Sequence, residues 1–133
     1  IIMNTKIDKI LAEISAGELL DKITILEIKK EKIKNKEKLE DINKELMSLN
    51  ITSNEKIPNK ENVKELVLNL KKINLKLWDI EENKRIAEKN NKFDEKFIKL
   101  SREVYKTNDE RAKIKLKINE ILGSNIKEVK SHY

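Results

Sequence analysis

Apolar residues recur along much of the chain at alternating spacings of three and four, which places them on one face of an α-helix. The clearest run contains Leu70, Ile73, Leu77 and Ile80, within residues 61–89. A stripe of this kind packs against other helices. We therefore predict an amphipathic helix over about residues 61–89.

A second helix is predicted before this run. Residues 15–18 read Ser-Ala-Gly-Glu, the capping-box pattern in which a serine side chain caps the first turn. Apolar residues at helical spacing continue from Leu19 to Leu49, with one change of phase near Ile33. We expect one long helix over about residues 16–49.

The third helix is predicted over about residues 94–122, where Gly123 supplies a left-handed C-cap. Residues 50–61 contain turn-forming residues and Pro58, which indicates an inter-helix loop. The pattern thus predicts an all-α fold, a long antiparallel three-helix bundle or coiled coil forming a single helical domain over residues 1–133. Short extended segments flank the bundle, and we expect them to meet near one of its ends.

The long apolar stripe of the first helix exceeds what two neighbouring helices cover, so we expect a homo-oligomer, with a dimer favoured. A slender monomer is the alternative. No stretch reaches the roughly 18 apolar residues that span a bilayer, so we expect no membrane insertion and a cytoplasmic location.

Composition narrows the chemistry further. The 133 residues include 30 basic and 24 acidic residues, no cysteine and one histidine, His132. We therefore expect no metal site and no cofactor. Acidic residues interrupt the lysine-rich stretch 29–38, so it is typical of a solvated helix face, and nucleic-acid binding is not expected.

The stripe of the third helix is interrupted where core residues are due, because Asn108, Arg111 and Lys115 follow Val104 at helical spacing. Polar groups on a buried face need partners inside the fold or a ligand. In the first interpretation they form a buried polar layer, in which Glu27 or Glu31 pairs with Arg111 and the two asparagines Asn74 and Asn108 pair with each other.

In the second interpretation the same residues form an anion pocket. Arg111, Lys115 and Lys22 would bind the anion, and Glu18, Asp21 and Asp109 would orient these bases. Trp78 is expected at a helix–helix boundary, although its ring could also stack on a ligand. The candidate ligand-binding residues are Glu18, Asp21, Lys22, Trp78, Arg85, Asn108, Asp109, Arg111 and Lys115.

Three strings carry a resemblance to a known family: GELLDKITILEIK at 17–29, LWDIE at 77–81 with Arg85, and VYKTNDERAKIK at 104–115. They resemble an uncharacterised bacterial family of short helical proteins, a domain of unknown function. The resemblance covers most of residues 13–133. Its members are at times encoded near glycosyltransferase-type genes, which implies a link to cell-envelope polysaccharide synthesis.

Because the chain has no glycine-rich phosphate loop, no nucleophile elbow and no zinc-binding HExxH pattern, a catalytic function is not favoured. We expect a non-catalytic helical interaction or scaffold protein with a possible protein partner. The alternative is a small helical enzyme or binding protein for an anionic metabolite, phosphorylated or carboxylated.

Overall fold

The computed structural model describes residues 6–130, and all regular secondary structure in that range is helical. The expected all-α class is confirmed. The helices are α1 (Ala16–Lys32), α2 (Lys36–Lys56), a short 3₁₀ turn (Lys60–Val63), α3 (Lys64–Lys89) and α4 (Glu95–Leu122).

The single helix predicted over 16–49 is wrong, because the chain breaks between Lys32 and Lys36. Ile33 is extended, with φ −88° and ψ 132°, and the Asn35 side chain caps α2 by accepting a 3.0 Å hydrogen bond from the Lys38 amide. The change of apolar phase near Ile33 marks this break. The described chain therefore forms four α-helices and not the three of the predicted bundle.

The loop predicted over 50–61 is also wrong in its first half. Helix α2 continues to Lys56, and Ser53 faces the core in its last turns. Thr52 directs its hydroxyl back to the Ser48 carbonyl oxygen, 3.2 Å away, which lets a turn-forming residue remain in the helix. The actual connection is short, and its end residues Ile57 and Val63 are buried.

The break in the first predicted helix changes the topology. Helix α2 turns back and packs on α1 alone among the described helices. Helix α1 crosses α3 near Asn74, because Asp21 lies beside Asn74 while Glu31, ten residues later on α1, lies beside Lys71. Helix α4 runs antiparallel to α1, because Gly17 contacts Asn119 while Asp21, four residues later, contacts Arg111.

The hydrophobic core lies where all these elements meet. Gly17 allows α1 and α4 to approach each other closely, because a Cβ atom at this position would lie 2.6 Å from the Lys115 carbonyl oxygen. This approach brings the first turns of α1 against the second half of α4. The core residues are Leu19, Leu20, Ile23, Leu26, Ile42, Leu46, Ile57, Val63, Leu70 and Ile118.

The two flanking segments differ. Residues 6–14 form neither helix nor strand, and Ile7, Ile10 and Leu11 are 79–89% exposed. After Gly123, whose φ of 64° is the expected left-handed cap, residues 124–130 fold back beside α4 and the beginning of α1. No hydrogen bond joins the described parts of the two flanks, and His132 lies outside the described residues.

Candidate functional site

Asp21 of α1 is the centre of the polar layer. Its side chain is fully buried, and its carboxylate accepts hydrogen bonds from Nε and Nη2 of Arg111, the former at 3.0 Å. This two-point contact matches the planar guanidinium to the carboxylate. It connects α1 to α4 in the interior of the molecule.

Helix α3 joins the same layer through Asn74. Its Nδ2 donates to Asp21 Oδ1 and to Thr24 Oγ1, both at 2.9 Å, and the Thr24 hydroxyl donates to the Asp21 carbonyl oxygen at 2.7 Å. Asn108 accepts a 3.4 Å hydrogen bond from Arg111 Nη1. The layer therefore links three helices with its buried donors and acceptors paired, which favours one arrangement of these helices.

A second network lies one turn nearer the beginning of α1. Lys115 Nζ donates to Glu18 Oε2 at 2.5 Å and to Glu128 Oε2 at 2.8 Å, and it lies 4.0 Å from Asp21 Oδ2. The Ser15 hydroxyl donates to Glu128 Oε1 at 2.5 Å. Glu128 thereby connects the C-terminal segment to Ser15, which caps α1, and to Lys115 of α4.

The amides in the first turn of α1 are all occupied. Ser124 Oγ accepts a hydrogen bond from the Ala16 amide, and Asn119 Oδ1 accepts one from the Gly17 amide. The Glu18 amide donates to Ser15 Oγ, and the Leu19 amide donates to the Ser15 carbonyl oxygen. The serine half of the predicted capping box is present, whereas the Glu18 carboxylate bonds to Lys115 instead of the Ser15 amide. This helix end therefore has no free donor for an anion.

The ion pairs shift the pKa values of three groups. The hydrogen bond to Asp21 raises the pKa of Arg111 above its ordinary value. Burial opposes the charge of Lys115, but the bonds to Glu128 and Glu18 outweigh it and raise the pKa of Lys115. Burial also opposes the charge of Glu128, yet its bonds to Lys115 and Ser15 keep the pKa of Glu128 below the ordinary value.

The partners predicted for the polar layer need correction. Arg111 pairs with Asp21, whereas Glu27 and Glu31 lie 4.0 and 3.2 Å from Lys71 on α3. Asn74 and Asn108 do not pair, because each bonds to one member of the Asp21–Arg111 pair. The prediction placed the carboxylate two or three turns too far along α1, since it assumed an unbroken first helix antiparallel to α3.

The remaining charged candidates lie near the edges of these networks. Lys22 is exposed and lies 3.6 Å from Glu18, and Asp109 lies 3.4 Å from Lys130 in the C-terminal segment. Arg85 is exposed on α3 and joins neither network. Each basic candidate except Arg85 thus lies beside at least one carboxylate.

A groove of about 510 Å³ opens beside the Asp21–Arg111 pair, between the second half of α1 and α3. We call it the Trp78 groove. Its volume lies within the range of about 300–1,000 Å³ typical of ligand pockets. Apolar side chains form its walls and Arg111 reaches it from α4; the lining residues are Ile25, Ile28, Asn74, Leu77, Trp78, Glu81, Glu82, Arg85 and Arg111.

The Trp78 groove contains residues from all three strings that carried the family resemblance. Trp78 and Leu77 are half-buried, whereas Glu81 and Glu82 are exposed. A second groove, of about 320 Å³, lies between α4 and the C-terminal segment and includes Arg111, Lys115, Glu128 and Lys130.

Sequence reasoning missed several members of the networks. Asn119 lies four residues after Lys115 on the same face of α4, so extending the polar positions by one turn would have found it. The Asn119 Nδ2 is buried without a hydrogen-bond partner in the described range. Ser124 and Glu128 lie beyond the last helix, where helical spacing gives no signal.

The described side chains hold no group of three or more histidine, cysteine, aspartate or glutamate residues placed to bind a metal ion. None of helices α1 to α4 is both long and apolar enough to cross a membrane. Fold and site together define a helical protein with a buried ion-pair network beside an apolar groove.

The chain belongs to a family of unknown function, DUF6165, whose family model matches residues 10–133. No curated protein matches the chain, and no solved structure matches it either.

Proposed function

We propose that the protein is a non-catalytic interaction module that self-associates, as a dimer, through the Trp78 groove. The observation that carries this proposal is the contrast between two neighbouring regions. The charged network beside the groove is closed, since Arg111 pairs with Asp21 and Lys115 with Glu18, whereas Ile25, Leu77 and Trp78 of the groove walls are only half-buried by residues 6–130. Apolar surface of this kind is typical of interaction sites.

The closed pairing argues against catalysis. A general acid or base must reach a substrate, but the Asp21 carboxylate is fully buried and is occupied by Arg111 and Asn74. Glu18 and Glu128 are bound to Lys115. The network accordingly positions α1, α3 and α4 around the groove.

The alternative of an anion-binding protein would use the groove beside the C-terminal segment. Arg111, Lys115 and Lys130 border it, but their charges are compensated by Asp21, Glu18, Glu128 and Asp109. An added anion would have to displace an existing carboxylate. Inorganic phosphate should therefore leave the melting temperature unchanged, and a saturable rise would favour the anion-binding alternative.

Light scattering with size exclusion tests the proposal. We expect twice the 15.7 kDa mass of one chain, falling to one chain on dilution. Trp78→Ala should reduce self-association, and Met47→Ala, which alters an exposed residue of α2 outside the groove, should not. Melting curves check that both variants fold, and Glu82→Lys, at the exposed rim, offers a second test that leaves the walls intact.

A mass of one chain at every concentration would contradict the proposal. So would a dimer that Trp78→Ala and Glu82→Lys both leave unchanged, because the interface would then lie elsewhere. The link to cell-envelope polysaccharide synthesis is a separate proposal, which the family resemblance alone supports.

A further inference from the structure

Residues 6–14 carry an apolar pattern that the described fold does not use. Ile7, Ile10, Leu11 and Ile14 follow the spacing that forms one face of an α-helix. All four are exposed, and the first three are 79–89% exposed. An isolated helix of nine residues is unstable in water, which explains why the segment lacks regular structure without a partner.

We propose that residues 6–14 of one copy form a helix in the Trp78 groove of a second copy. We call this segment the N-terminal arm. The inference rests on the proposed self-association through the groove and identifies what occupies it. Two such exchanges, related by a twofold axis, would close a dimer.

Charge order supports this occupant. Along α3 the rim of the groove presents Glu81 and then Arg85, four residues later. The arm presents Lys9 and then Glu13, also four residues apart. A helical arm parallel to α3 places Lys9 beside Glu81 and Glu13 beside Arg85, so that both pairs are of opposite charge.

Reach excludes the arm of the same chain. The arm ends at Ser15, where α1 begins, and the groove lies beside Ile25 and Ile28, which are 10 and 13 residues farther along α1. An arm folded back as a helix would reach only about 14 Å, whereas Ile25 to Ile28 lie about 15–20 Å along α1.

The chain contains no cysteine, so a pair of introduced cysteines gives a direct test. Chains carrying Lys9→Cys and chains carrying Glu81→Cys are mixed under mild oxidation. We expect a disulfide-linked pair that contains one chain of each kind. As a control, Glu45→Cys, on the exposed face of α2, replaces Glu81→Cys and should give far less cross-linking. Equal yields in the two mixtures would overturn the proposal.

Charge reversal supplies a second test. Lys9→Glu alone and Glu81→Lys alone should each raise the dimer dissociation constant by roughly tenfold, and the double variant should recover most of the loss. Lys9 and Glu81 are both exposed, so we expect the charge-reversed variants to keep the fold. A double variant no tighter than either single variant would contradict the pairing of Lys9 with Glu81.

Removing the apolar face of the arm separates the two proposals. The variant Ile7→Ser, Ile10→Ser, Leu11→Ser should have the mass of one chain. If it stays a dimer that Trp78→Ala dissociates, the arm is wrong and the groove interface stands. If the wild type is itself a monomer, both proposals fail.

Flotation with vesicles of acidic phospholipid tests a membrane surface as the other possible partner of the arm. Binding to the vesicles that the triple variant loses would make the arm a membrane segment and overturn the proposal.

Discussion

Replacing Arg111 with alanine leaves the Asp21 carboxylate buried without its main partner. Removing one member of a buried ion pair destabilises a protein by about 3–5 kcal/mol. The lower end applies here, because the Arg111 side chain is 27% exposed and Lys115 Nζ lies 4.0 Å from the same carboxylate. We therefore expect Arg111→Ala to lower the free energy of unfolding by about 3 kcal/mol.

This value converts into a melting temperature. An unfolding entropy of about 2.1 cal/mol/K per residue gives roughly 280 cal/mol/K for this chain, so a loss of about 3 kcal/mol lowers the midpoint by about 10 °C. Circular dichroism during heating and in urea measures both quantities. Arg85→Ala is the matched control, since Arg85 is exposed and joins no part of the ion-pair network.

The stability lost in Arg111→Ala should be recoverable by a second substitution. Changing Asp21→Leu together with Arg111→Met removes both charges and should restore much of the stability, because the destabilising feature is the unpaired charge and not the missing contact. Arg111→Lys should fall between wild type and alanine, since it keeps a charge but loses the two-point contact. A midpoint within about 2 °C of wild type for Arg111→Ala would refute the account of the Asp21–Arg111 pair.

Three further predictions concern the elements around this pair. Gly17→Ala should destabilise the fold by about 1–3 kcal/mol in urea unfolding, because its Cβ would lie 2.6 Å from a backbone oxygen, and close packing cannot absorb it; a wild-type value would mean that α1 and α4 are farther apart. Asn35→Ala should cost about 1 kcal/mol as the loss of an N-cap, with Lys34→Ala as the control, and equal effects of the two would argue against a helix beginning there. Because the pKa of Glu128 is lowered in the folded chain, its contacts stabilise the fold above pH of about 4.5 and are lost as the pH falls through the folded value. The melting temperature of Glu128→Gln should accordingly lie below that of wild type at neutral pH and meet it in acid; a constant difference at all pH values would exclude this linkage.

The helices themselves follow from local patterns in the sequence. The apolar stripe of α3, the serine cap at Ser15 and the left-handed Gly123 are each set by nearby residues, and the structure contains all three. The position of a break is harder to predict. Only three residues separate α1 from α2, and Asn35 is a weak signal among so many polar residues.

The polar layer could be predicted in kind but not in its partners. The interruption at Asn108 and Arg111 shows that polar groups must be accommodated, because these residues lie on the apolar face of a helix. Which carboxylate meets Arg111 depends on how α1 and α4 are aligned. That alignment is set by the contact of Gly17 with Lys115, which no local spacing determines.

We expect the Trp78 groove to be covered when two chains associate. Trp78 is the only tryptophan, so its fluorescence reports directly on the groove. The emission maximum of the wild-type protein is measured through the concentration range over which its mass halves. We predict that the emission maximum shifts to longer wavelength as the dimer dissociates and water reaches the ring. An emission maximum that stays constant while the mass halves would contradict it, as would a mass of one chain throughout.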